Sequence, residues 1–181
     1  MKKITIFMLS LLLCCGILVS QNLNNRAMAA SQQNALQSVR PNLNSSWELA
    51  YFNMDSSQWI AEYGLKGEDV IHFKWTKLIT VNCFYPSAFK LSPETYAGRF
   101  EKILSKQADS MSRKLYFQYF PVNKNEVWFE WSIPGRNEFE VCRVFRGQSG
   151  FYHMHYAQKT SQLSQSERNN IIAILKNIQV N

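Results

Sequence analysis

Residues 114–159 limit the fold more than any other part of the chain. They hold four aromatic and β-branched runs, at 114–122, 126–133, 138–146 and 151–158. Asn123-Lys124-Asn125, Pro134-Gly135-Arg136-Asn137 and Gly147-Gln148-Ser149-Gly150 separate them. Short loops of turn formers between β-prone runs predict hairpins, so this region is expected to be an antiparallel four-strand meander.

The first thirty residues address the chain. Lys2 and Lys3 precede an apolar run at 4–19, and the small-residue site Ala27-Met28-Ala29 follows. That order predicts a secretory signal peptide at 1–29, and hence a periplasmic or extracellular protein. The run is about 16 residues against the roughly 20 a bilayer needs, so no stable membrane span is expected after cleavage. Cys14 and Cys15 lie inside the run, with Leu13 before them and Gly16-Ile17-Leu18-Val19 after. A lipid-modified cysteine should end such a run, so cleavage without lipidation is the expectation.

Removal of 1–29 leaves Cys83 and Cys142. An even pair in an oxidising compartment predicts one disulfide, which would close a loop worth about 4 kcal/mol in the chain-entropy model. The chain carries twenty Lys and Arg against thirteen Asp and Glu, spread without a block of five like charges, so a nucleic-acid partner is not expected.

Residues 30–46 are rich in Gln, Asn and Ser and predict a flexible leader, with a single domain at 47–181. Runs at 47–54, 58–64 and 77–85 predict strands. Ser92-Pro93-Glu94 is a helix start, and Tyr96, Phe100, Ile103, Leu104, Ala108 and Met111 follow at helical spacing. Ser164 and Glu167 have capping-box spacing ahead of Ile171, Ile172, Ile174, Leu175 and Ile178. One long helix before the meander and one closing helix after it give an α+β class with a mainly antiparallel sheet. Both helices are expected on one face of the sheet, leaving the other partly wet.

This order of elements resembles the PsbP/Mog1-like α/β/α sandwiches. The stretch Ile60-Ala61-Glu62-Tyr63-Gly64-Leu65-Lys66-Gly67-Glu68-Asp69, continued by Trp75-Thr76-Lys77-Leu78-Ile79-Thr80-Val81, also resembles a pattern of uncharacterised exported bacterial proteins. The resemblance implies a fold and an exported life, and it carries no catalytic residues across.

For chemistry, His153 and His155 are two apart on a strand and so share a face. A metal site there would need a third ligand, from His72, Glu140 or Glu130, and a hydrolase site would be built around His153, His155 and Glu140. Gly147-Gln148-Ser149-Gly150 is one residue short of a nucleophile elbow and joins two strands, so it reads as a turn. No complete catalytic set or cofactor motif is present. Val127, Phe129 and Trp131 read as core, which sets Trp128 with Glu130 on the wetter face, where Tyr116 and Gln118 can join them. An aromatic among polar groups suits a protein interface or sugar stacking. The expectation is a non-enzymatic binding module for an envelope or host protein, using Trp128, Glu130 and Tyr116, with His153 and His155 as further candidates.

Overall fold

Hairpin turns and helix caps divide the chain into an α+β fold, which the computed structural model describes for residues 39–41 and 43–180. The expected signal peptide at 1–29 and the leader residues 30–38 lie outside the described residues. The strands are β1 (Val39–Pro41), β2 (Trp47–Met54), β3 (Gln58–Leu65), β4 (Lys77–Phe84), β5 (Tyr116–Asn123), β6 (Glu126–Ser132), β7 (Phe139–Arg146), β8 (Phe151–Gln158) and β9 (Ile178–Val180). The helices are α1 (Pro93–Ser110) and α2 (Gln165–Asn177).

Both helices begin on the caps visible in sequence. The Ser92 side chain accepts from the Thr95 N–H at 3.1 Å ahead of Pro93, whose missing N–H costs nothing in a first turn. Ser164 and Glu167 form a reciprocal capping box at the start of α2. The Gly147–Gly150 segment is a turn between β7 and β8, closed by the Gly147 N–H donating to the Gly150 carbonyl at 2.9 Å.

β2 to β8 form one antiparallel sheet of seven strands in the order β2-β3-β4-β8-β7-β6-β5. The chain walks from the β2 edge to β4, beside the central strand, and crosses through α1 to the far edge, β5. It then returns strand by strand to β8, which pairs with β4 along its length, from Lys77↔Gln158 to Phe84↔Phe151. β1 pairs with β9 in a separate two-stranded ribbon. Part of the expected leader is therefore a strand, because the backbone of Val39–Pro41 finds its partner in Ile178–Val180.

Each face of the sheet carries its own helix, contrary to the expectation that both share one. Ile171 and Leu175 of α2 pack with Trp128, Val141, Tyr152, Met154 and Tyr156 on what we call the front face. Tyr96, Ala97, Leu104 and Ala108 of α1 pack with Phe129, Trp131, Cys142, Val144 and Phe151 on the back face. A sheet covered on both sides loses the polar alternation of a half-wet one. Central strands accordingly read as buried at nearly every position, β6 and β7 among them.

The two cysteines follow this division and correct the expected bridge. Cys83 is buried in the front core and Cys142 in the back core, and both are free. Their strands, β4 and β7, are separated by β8. Two inter-strand steps amount to about 10 Å, beyond the roughly 7 Å Cα separation that a disulfide can span. Among the described residues no helix is long and apolar enough to cross a membrane.

Candidate functional site

The front face is not covered evenly. α2 lies over β7 and β8. Beyond it, β6 and the edge strand β5 form the floor of a groove of about 550 Å³. Trp128, Glu130 and Tyr116, three of the residues expected to bind, all line it. Cross-strand register brings them together: Gln118 faces Glu130, and Phe120 faces Trp128. One side of β5 therefore presents Tyr116, Gln118, Phe120 and Val122 to the groove. Phe120 is 38 % and Val122 57 % exposed, an apolar strip that the described residues leave open.

The opposite wall is a single stripe of α2. Gln165, Arg168, Ile172 and Lys176 recur at three- and four-residue spacing, which puts them on one side of the helix. Sequence reading placed Ile172 with the core side chains and gave Arg168 and Lys176 no role, since nothing local shows which strand a helix face will meet.

Trp128 and Glu130 are not wet, which corrects a further expectation. Trp128 is 7 % and Glu130 1 % exposed. The Trp128 Nε1–H donates to Glu126 Oε1 at 2.7 Å, and Arg143 Nε donates to the same oxygen at 3.0 Å. The Arg143 guanidinium and the Lys176 ammonium stand 5.6 and 6.0 Å from the Trp128 ring centroid. Glu130 accepts from Arg168 Nε at 2.6 Å and from Arg168 Nη2 at 3.0 Å, one bond to each carboxylate oxygen. The Tyr116 hydroxyl donates to Glu130 at 2.7 Å. Burial of that hydroxyl, followed by the neighbouring carboxylate, pushes its pKa up to about 12. Two-point pairing is the strongest form of charge-assisted hydrogen bond, so Arg168 fixes the groove wall to its floor.

The histidines lie on the other side of the sheet. His153 is 3 % exposed, and its Nδ1 is 3.0 Å from the Tyr96 hydroxyl of α1. Burial, with the nearby charge of His155, holds its pKa well below 6.5, so the ring is neutral. His155 Nδ1 meets Glu140 Oε2 at 2.9 Å. Burial opposes its protonation, but Glu140 and then Glu62 outweigh it and raise the His155 pKa. His155 and Glu140 thus form a buried ion pair.

A histidine held by a carboxylate is half of a nucleophilic site, and Cys142 is the cross-strand neighbour of His155. The other half is missing. Burial, then the charge of Glu140, pushes the Cys142 thiol well above its ordinary pKa, the opposite of an activated nucleophile. His72, the third candidate, is exposed in the β3–β4 loop and pairs with Asp69. Among the described residues no group of three or more His, Cys, Asp or Glu side chains is placed to hold a metal ion.

No protein-family model matches this chain, and no curated protein is similar to it.

Proposed function

We propose that this is an exported, non-enzymatic module that captures a partner protein, of the cell envelope or of a host, in the front groove. The observation that carries the reading is the open strip of Phe120 and Val122 beside Trp128, Ile172 and Lys176, in a groove whose wall is pinned by the Arg168–Glu130 pair. A rigid apolar trough with polar ends suits recognition. The export half rests on Lys2, Lys3, the apolar run and Ala27-Met28-Ala29. A helix on each face of the sheet supports the resemblance to α/β/α sandwiches.

Sugar stacking is disfavoured because Trp128 is buried beneath Arg143 and Lys176 and offers no free ring face. Hydrolysis around His153, His155 and Glu140 is disfavoured by the inert thiol and the burial of the His153 ring.

Capture from envelope extracts tests the reading, with the wild-type protein beside Phe120→Ser and His155→Gln. Loss of the captured protein in Phe120→Ser alone is the expected result. Loss in His155→Gln, with Phe120→Ser unaffected, would move function to the back face.

A further inference from the structure

We infer that the occupant of the groove is an amphipathic helix of about three turns, supplied by the partner protein, with a carboxylate set against Lys176. The inference rests on the groove being the binding site and names what it takes.

Width is the first reason. The groove floor runs over β6 and β5, two strands or about 10 Å, the diameter of one helix with its side chains. Trp128 and Glu130 of β6 lie buried at its back, and the exposed strip is on β5. Length is the second. The wall from Gln165 to Lys176 runs about 16 Å, and the strip from Tyr116 to Val122 about 20 Å, which matches three helical turns. A partner helix lying beside α2 would extend the helical layer across the rest of the front face.

The edge itself argues against strand addition. Pro121 has no backbone N–H to donate, and the β5–β6 register shifts between Pro121 and Asn123. An extended partner would find an interrupted row of hydrogen-bonding groups, whereas a helix satisfies its own backbone and asks only for side-chain contact.

Charge selects the chemistry of that helix. Both acids of the groove are already engaged, Glu126 by Arg143 and Trp128, and Glu130 by Arg168 and Tyr116. Lys176 is exposed and takes part in none of the ion pairs among the described residues, so the unbalanced charge of the groove is positive. The chain's own leader is a poor occupant, because Leu36 is the one large apolar residue between Ala30 and Ser38.

The test pans a phage library of random 16-residue peptides on the purified full-length protein and titrates selected peptides, and laurate as a small amphiphile, by calorimetry. Expected are peptides with apolar residues at i, i+3 or i+4, and i+7 plus an acid. Their affinity should fall at least tenfold in Phe120→Ser and in Lys176→Glu and stay unchanged in Ile71→Ser, a distant exposed position. Replacing the peptide's acid by Lys should restore binding to Lys176→Glu. Phe120 and Lys176 are exposed, so both variants should fold, and circular dichroism checks this. Peptides of period two, laurate alone, or no enrichment over an unrelated protein would overturn the helix while leaving the groove as a site. Helical peptides indifferent to both variants would overturn the groove itself.

Discussion

Arg168 closes on Glu130 across 38 residues of sequence, with its Nε–H 2.6 Å from one carboxylate oxygen and an Nη2–H 3.0 Å from the other. This contact ties α2 to β6 and gives the groove a fixed wall. Glu130 is almost fully buried, so removing only the cation strands a charge away from water. Arg168→Ala should cost about 3 kcal/mol in urea unfolding, at the low end for a buried pair because Arg168 keeps some contact with solvent. Replacing both residues by Leu should recover much of that loss. A double variant as unstable as Arg168→Ala would show that the pair contributes no such penalty.

Trp128 and Trp131 point to opposite faces, and both are nearly buried. Trp128→Ala and Trp131→Ala should each cost roughly 3–5 kcal/mol, measured by denaturant melts. The account fails at Trp128 if its replacement is tolerated within about 1 kcal/mol, as an exposed residue's would be.

This symmetry explains what the sequence did and did not disclose. The α+β class was legible because Ser92, Pro93, Ser164 and Glu167 make local capping contacts, and turn formers bound the β-prone runs. The faces were not. Glu130 made its side of β6 look wet, but its charge is met by Arg168 from the far end of the chain. The pairing of β4 with β8 is equally remote, and it is what puts Cys83 and Cys142 on opposite faces. Trp128 and Glu130 were found through period-two spacing, whereas Tyr116 needed the β5–β6 register and Lys176 and Ile172 the position of α2.

The buried pair on the back face should make stability depend on pH. His155 has a folded pKa raised above 6.5, so its contribution is fully present below pH 6.5 and is lost as pH rises through the raised value. Burial raises Glu140 as well, which acts in the same direction from about pH 4.5 upward. The advantage of the wild-type protein over the Glu140→Gln, His155→Gln double variant should therefore shrink between pH 6 and pH 9. His153 adds no difference over this range, because burial, the larger cause of its lowered pKa, keeps it neutral with or without His155. An advantage that grows over that range would contradict the assignment.

Cys83 and Cys142 should behave as two inert thiols. Burial pushes the Cys83 thiol up to about 11 and raises the Cys142 thiol well above its ordinary value. Alkylation of the unfolded, unreduced protein followed by peptide mapping should label both, and reductant should leave the melting temperature unchanged. Recovery of a Cys83–Cys142 disulfide peptide would refute the two-core arrangement.

Hydrogen exchange with and without the captured partner addresses the groove most directly, because it reads every backbone segment at once. Slowed exchange should concentrate in Tyr116–Asn123 of β5 and Gln165–Asn177 of α2, with Pro93–Ser110 of α1 unchanged. Protection confined to α1 and the back-face strands, with β5 exchanging as in the free protein, would contradict it.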